Sequence, residues 1–286
     1  MVGKKQKRFL KDRELSTLII YTDCDSFSGC ENIVSVLMND VDFTNQFKTI
    51  LLYRSSKLYS DQISNRINDI SRTYPVPILA LHRSKLPSAI RDNLLARGIL
   101  KALSILFHPL IFIFNFFLLS LRLSRLGRGY ILINNGGYPG AGGCLQVAII
   151  AKLLGFKKVF MIVNNVAGKR KTFTKKLSKI YDQIIFSCVD KFISGSEPTG
   201  LMLKQNRNFN LKKILCIPNG IERVRFDEES RVRRRNKRYS YNEIITFSII
   251  GVHEERKGHI ILLNAVSELL MRRKDFLGRV KVLILN

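Results

Sequence analysis

Acidic residues are scarce in this 286-residue sequence: 22 aspartates and glutamates stand against 48 lysines and arginines, a formal net charge of +26. An imbalance of that size calls for an acidic partner, whether nucleic acid, an anionic membrane surface or phosphorylated small molecules. Proline is also sparse, at 7 residues, while 46% of the chain is apolar. Disorder is thereby excluded for the bulk, and there is enough apolar material for one large domain or two smaller ones. The five cysteines, Cys24, Cys30, Cys144, Cys188 and Cys216, form no C-x-x-C pair. Neither a zinc spacing nor a disulfide framework is visible, and they read as small buried hydrophobes in a reducing cytosol. Six basic residues between Lys4 and Arg13 are not followed by an apolar stretch of signal-peptide form. There are no internal repeats.

What is present is alternation. Short β-rich runs at 18–21, 49–53, 76–81, 130–133, 159–163, 191–194 and 213–217 are separated by stretches of helical periodicity. Cys30, Ile33, Val34 and Leu37 fall on one helix face, and Ser28 with Glu31 predicts an S-x-x-E capping box at its start. Ile63, Ile67 and Ile70 predict a second helix, and 145–154 a third ending at Gly155. This spacing predicts a doubly wound parallel sheet. The organisation expected is a basic tail over 1–16, a first domain over 17–226 and a basic linker over 227–243. Residues 244–286 then open a second domain with a strand at 244–250, a helix at 260–271 and a strand at 280–285.

Residues 102–121 carry no formal charge and are long enough to span a bilayer. Arg91, Arg97 and Lys101 precede the run and Arg122, Arg125 and Arg128 follow it, so neither flank sets an orientation. A spanning helix, a buried helix and an interfacial helix on anionic lipid are all compatible. The interfacial reading is favoured, because spanning would place strands of one sheet on opposite sides of a membrane.

Four loops have the composition of ligand-binding turns. After the first strand, Gly29 opens a helix whose free backbone amides would favour a phosphate. After the fourth, Asn134-Asn135-Gly136-Gly137-Tyr138-Pro139-Gly140 lies at the carboxyl end of the sheet; it matches neither a dinucleotide G-x-G-x-x-G fingerprint nor a P-loop. Ile217-Pro218-Asn219-Gly220-Ile221 is a sharp turn. Gly251 to Gly258 joins a strand to a helix and places Lys257 beside helix-start amides, a seat for a diphosphate. Each also reads as an ordinary structural turn.

The order of these segments resembles glycosyltransferase family 4, a group of retaining enzymes with the GT-B fold: Ser-Gly-x-Glu, then Gly-Gly-Tyr-Pro-Gly, then Ile-Pro-Asn-Gly-Ile, then Glu-Glu-Arg-Lys-Gly. The resemblance covers nearly the whole chain and implies an α/β architecture of two facing Rossmann-like domains. It implies donor diphosphate contacts at Lys257, Arg256, Gly29 and Ser28, and acceptor-side loops containing Gly136, Gly137, Tyr138, Asn164 and Asn165. It places an inter-domain hinge at Pro218, Asn219 and Gly220. The implied donor is a nucleotide-diphosphate sugar, with no cofactor and no metal; Asp23 and Asp25 have Asp-x-Asp spacing but sit in the first loop. The implied setting is surface polysaccharide synthesis on a lipid-linked or glycan acceptor, by a peripheral protein at the cytoplasmic face of the membrane.

The pattern departs from the family in three places. Gly251-Val252 stands where Gly-Arg is common, Asn164-Asn165 where His-Asn is common, and the Glu-x7-Glu segment that holds sugar and ribose would fall beyond residue 286. Catalytic residues therefore stay unassigned, and the expectation is a chain truncated within its second domain that transfers no sugar by itself. The alternatives are a non-catalytic remnant of such an enzyme and a basic nucleic-acid-binding protein. The second is disfavoured because the basic runs lack interleaved aromatics and no nucleic-acid module appears.

Overall fold

The computed structural model describes residues 15–27, 29–79, 94–170, 175–220, 244–251, 253 and 255–285, with the side chains of 94–105 and of Arg256 excepted. The expected linker and most of the basic tail lie outside this set. Two compact units divide the chain, Met1–Glu222 and Arg223–Asn286.

The first unit is built on strand–helix alternation, as the apolar runs require. Its elements are β1 (Ser16–Thr22), α1 (Glu31–Asn39), α2 (Val41–Gln46), β2 (Phe47–Arg54), α3 (Lys57–Ile63), β3 (Thr73–Val76), α4 (Leu94–Ser124), β4 (Tyr130–Asn135), α5 (Gly142–Leu153), β5 (Lys158–Val163), α6 (Lys175–Cys188), β6 (Lys191–Ser194), α7 (Glu197–Arg207) and β7 (Ile214–Cys216). The strands form one parallel sheet in the order β3-β2-β1-β4-β5-β6-β7. The chain thus winds outward from β1, returns through α4, and winds outward the other way. The order reverses between β1 and β4, where doubly wound sheets open a crevice at their carboxyl ends.

Both faces of the sheet are covered, and side chains of β1 alternate between two cores. Leu18 and Ile20 pack with Val34 and Met38 of α1 and Tyr59 and Ile63 of α3. Ile19 and Tyr21 pack with Leu119 and Leu123 of α4, most of α5, Ile185 of α6 and Leu203 of α7. Helix α5 is apolar all round and almost wholly buried, as its sequence GGCLQVAIIAKL dictates.

Three local expectations need correction. The Ile63, Ile67, Ile70 spacing does not mark one helix: α3 ends at Ile63, Ile67 is buried beyond it, and Ile70 is exposed in a separate 3-10 turn. Asn39 draws the chain off the helix axis, donating to Arg66 O at 2.8 Å and accepting from Asn68 N at 3.0 Å. The third strand lies at Thr73–Val76, upstream of the expected 76–81. Pro77 cannot donate to a ladder, and Leu79 gives both its backbone groups to Asn115 of α4 instead, at 2.8 and 2.7 Å. Ser28 of the expected capping box lies outside the described residues; Cys30 is the N-cap of α1 with no side-chain capping bond, and Glu31 turns inward.

The second unit consists, among the described residues, of β8 (Ile245–Ile250), a 3-10 turn (Glu255–Lys257), α8 (His259–Arg272), a further 3-10 turn (Lys274–Phe276) and β9 (Val280–Leu285). The two strands pair in parallel from Ile245↔Val280 to Ile250↔Leu285.

The closeness of β1 and β4 sets a checkable limit. A Cβ at Gly129 would lie 2.0 Å from the Thr17 carbonyl oxygen, a backbone atom that cannot step aside. Gly129→Ala is therefore expected to cost about 3 kcal/mol or more. Gly142→Ala, with open space at the first turn of α5, should be neutral or slightly stabilising. Urea denaturation of the two variants beside the parent chain measures the difference.

Candidate functional site

The carboxyl edge of the sheet begins with the end of β1. Thr22, which closes β1, is buried, and so are Asp23 and Phe27 beyond it although that segment is a loop. Arg54, at the carboxyl end of the neighbouring β2, reaches across to both aspartates: one guanidinium nitrogen is 3.0 Å from Asp23 Oδ1 and another pairs with Asp25. The other oxygen of Asp23 accepts from the backbone amide of Gly143 at 2.9 Å. Asp23 thus supplies the negative charge at the N-terminus of α5 that the helix dipole favours. A Cβ at Gly143 would meet Tyr21 Oη at 2.5 Å and Asp23 Oδ2 at 2.6 Å, so glycine is needed for that approach. The anion position at the start of α5 is filled by the protein's own carboxylate, and Asp23 and Asp25 are organised around a guanidinium.

Glu31 occupies the crevice between β1 and β4 from beneath. Its side chain is fully buried. One oxygen accepts from Thr22 Oγ1 at 2.8 Å and Asn134 Nδ2 at 3.0 Å, and the other from Tyr59 Oη at 2.7 Å. These partners come from β1, β4 and α3, so one carboxylate ties three elements to α1. Every one of those donors is neutral. Burial therefore dominates and holds the Glu31 carboxyl above the usual carboxylate range, opposed by the bonds from Tyr59, Cys24, Thr22 and Asn134. The Cys24 thiol and the Tyr59 phenol are pushed up by the same burial and by the nearby Glu31 charge. Glu31 is buried and spends both oxygens on these donors, so it acts as a positioning residue.

The loops after β4 and β5 are joined by side-chain amides. Asn164 Nδ2 donates to Asn134 Oδ1 at 2.9 Å and to Asn135 O at 3.1 Å. Asn165 Nδ2 donates to Gly136 O at 2.6 Å, and Asn135 Nδ2 to Pro139 O at 3.0 Å. Gly136, Gly137, Asn164 and Asn165 therefore lie together at the edge, with Gly136 and Gly137 half-buried and Asn165 exposed. Tyr138 is different from its expected role. Its ring is buried, packed edge-on against Phe209 with centroids 5.0 Å apart, and its hydroxyl donates to Asp182 of α6 at 3.0 Å. Asp182 also pairs with Arg170 at 2.7 Å and Arg207 at 3.4 Å. Tyr138 anchors the loop from inside and presents no surface to an acceptor.

The remaining candidates divide as follows. Gly29 is exposed, and nothing lies within 4 Å of where its Cβ would stand; Ser28 lies outside the described residues. Pro218, Asn219 and Gly220 are exposed after β7, and the Asn219 amide packs 3.1 Å from the position of a Cβ on Gly195. In the second unit the Lys257 stem crosses Gly251, where a Cβ would lie 3.5 Å from Lys257 Cδ. Lys257 ends the short 3-10 turn, and Gly258, with φ +78°, is the N-cap of α8 and offers no side-chain cap. His259 follows, buried, with its ring 4.8 Å from that of His253. Neither His259 ring nitrogen has a hydrogen-bond partner among the described residues.

Sequence reasoning missed Glu31, Arg54 and Asp182 as organisers. Arg54 had a signal: a charge closing an apolar strand run, beside Asp23 and Asp25 closing another. Glu31 was misassigned because its spacing from Ser28 fits a capping box, and its partners are distant in sequence.

Glu31 gives a pH prediction. The folded state holds its proton more tightly than the unfolded chain, whose value is near the ordinary 4.5. Its contribution to stability is thus fully present below that value and lost as pH rises through the folded value. Glu31→Gln, which keeps shape and hydrogen-bonding capacity, should flatten this decline in urea melts taken from pH 4 upward. Glu31→Ala strands the Thr22, Asn134 and Tyr59 donors and should cost about 2–4 kcal/mol. Parallel pH profiles for the parent and the glutamine variant would refute the assignment.

No protein-family model and no curated protein matches the sequence. Solved structures do match. A glycosyltransferase from Rickettsia africae superposes with a TM-score of 0.56 at 11% identity, covering 96% of this chain and 69% of that one. HepE from Anabaena, solved in complex with UDP and glucose, gives 0.53 at 10% identity over 95% and 70%. A UDP-forming α,α-trehalose-phosphate synthase from Burkholderia vietnamiensis gives 0.50 at 14% identity over 94% and 64%. At such identities the likeness is one of architecture: this chain has the Rossmann-like α/β fold of the GT-B glycosyltransferase structures.

Proposed function

We propose that the protein belongs to the machinery of sugar transfer, taking a sugar from a nucleotide-diphosphate donor and passing it, with retention, to a lipid-linked or glycan acceptor of a surface polysaccharide. Its place is the cytoplasmic face of the membrane, held peripherally. The fold it shares with UDP-sugar enzymes makes the class reasonable, and the order of its four loop motifs supports the retaining family.

One observation carries the reading: the corner between β8 and α8. Gly251 clears a path for the Lys257 stem, and α8 starts at Gly258, an N-cap that carries no side chain of its own. A cation beside a helix N-terminus suits a diphosphate, whose charge grows on the leaving group as a sugar departs. On the acceptor side, the amide-linked loops containing Gly136, Gly137, Asn164 and Asn165 offer hydrogen-bonding groups at the sheet edge suited to sugar hydroxyls.

The test is calorimetric titration of the full chain with UDP. Lys257→Ala removes a charge-assisted contact worth about 1.5–3 kcal/mol, so UDP affinity should fall by about 10- to 150-fold. A variant that binds UDP as tightly as the parent removes Lys257 from the donor site.

A further inference from the structure

Helices α4, α5 and α6, three of the four that cover one face of the first unit's sheet, differ in charge from those that cover the other; the fourth, α7, carries exposed Glu197. Helices α4, α5 and α6 together contain a single carboxylate, Asp182, and it is buried against Arg170 and Arg207. The opposite layer carries exposed Asp42 and Asp61 on α2 and α3. The outer side of the α4–α6 layer therefore presents no negative charge of its own from these helices.

It does present apolar surface, in two rows. Leu106, Leu110, Ile113 and Phe117 of α4 recur at helical spacing along one face and are 62–68% exposed. The other face of α4 is committed to the protein: Leu119 and Leu123 are fully buried, Asn115 holds Leu79, and Gln146 of α5 donates to Phe112 O at 2.8 Å. The segment Leu106–Ser124 is long and apolar enough to cross a membrane. However, β3 before α4 and β4 after it belong to one sheet, so this helix lies on its unit. The second row is on α6, where Leu177, Ile180 and Ile184 are exposed at 73%, 56% and 42%. Lys175, Lys176 and Lys179 stand exposed among them, and Arg122, Arg125 and Arg128 are exposed at the end of α4.

We infer that this layer is a docking face for an anionic lipid bilayer, with α4 and α6 as its two contacts. Apolar rows rimmed by cations and free of exposed carboxylates complement a surface that is negative outside and hydrocarbon beneath. A neutral protein partner would have no use for the charge, and a nucleic acid no use for the leucine and phenylalanine rows. The face stands on the first unit alone and deepens the peripheral placement proposed above by naming the surface responsible.

Vesicle flotation of the full chain tests it, using phosphatidylglycerol–phosphatidylcholine vesicles against phosphatidylcholine alone. Binding is expected on the anionic vesicles at low salt and should weaken at high salt, where exposed charges are screened. Changing Lys175, Lys176 and Lys179 to Gln should weaken partitioning by about fivefold for each lysine. A double change at two exposed positions, Leu110→Asp with Phe117→Asp, should abolish binding while leaving UDP affinity and the urea midpoint unchanged. Flotation that both variants retain overturns the proposal, as does no flotation of the parent. Resistance to alkaline carbonate overturns it in favour of a spanning helix. A parent dimer that the aspartate variant makes monomeric, with vesicle binding intact, assigns the face to a second copy of the chain. UDP titration on the same samples separates this outcome from failure of the donor site.

Discussion

A carboxylate taken out of water must be surrounded by donors, and Glu31 imposes that condition on the centre of the molecule. It sits where the strand order reverses, so the elements able to reach it are those that must be held together there. Thr22 ends β1, Asn134 is the penultimate residue of β4, and Tyr59 lies on the helix that packs over β2. Asn134 passes the constraint on through Asn164, and Asn165 continues it to Gly136. The edge loops are thus positioned by a chain of hydrogen bonds rooted in one buried group. Leaving any donor in that chain unpaired is costly in a low dielectric, which makes the arrangement specific as well as stable.

The strongly positive surface has a related origin. Several of the few carboxylates in the first unit are spent inside it: Glu31 on neutral donors, Asp23 on Arg54 and the start of α5, Asp182 on Tyr138, Arg170 and Arg207. Asp190 accepts from Val159 N and Lys158 between two strands, which holds its carboxyl below its usual range against the opposing effect of burial. Interior use of acid leaves exterior base uncompensated. Among the described residues the positive charge is therefore concentrated outward, and its field falls on whatever phosphate-bearing partner approaches.

Much of the architecture was legible in the sequence because it rests on period. Runs such as LIIY and KVFMIV are too apolar for anything but a strand buried on both faces, and β1, β2, β4, β5 and β6 lie within two residues of where those runs fall. Errors arose where a side chain overruled the period: Asn39 ending α3 early, Asn115 claiming the backbone of Leu79, Glu31 turning from cap to core. The site was legible as loops but not as contacts. Gly136 and Asn164 were found together because both follow strands. Tyr138 was placed among them by sequence adjacency, and its burial follows from Asp182, which lies 44 residues away. No local pattern encodes a partner at that distance.

The strand order has a consequence for how the molecule is made. Residues 16–54 emerge early in synthesis and can pair β1 with β2, but the other edge of β1 waits for β4. Asn134 is 103 residues from Glu31, an interval of about 5–20 s at ordinary ribosomal speeds of 5–20 residues per second. Throughout that interval the carboxylate lacks one of its donors and Ile19 and Tyr21 lack their cover. The nascent chain is thus obliged to stay open at its centre until the ribosome has passed the long apolar helix, so the half-made protein exposes its stickiest segment before its keystone arrives.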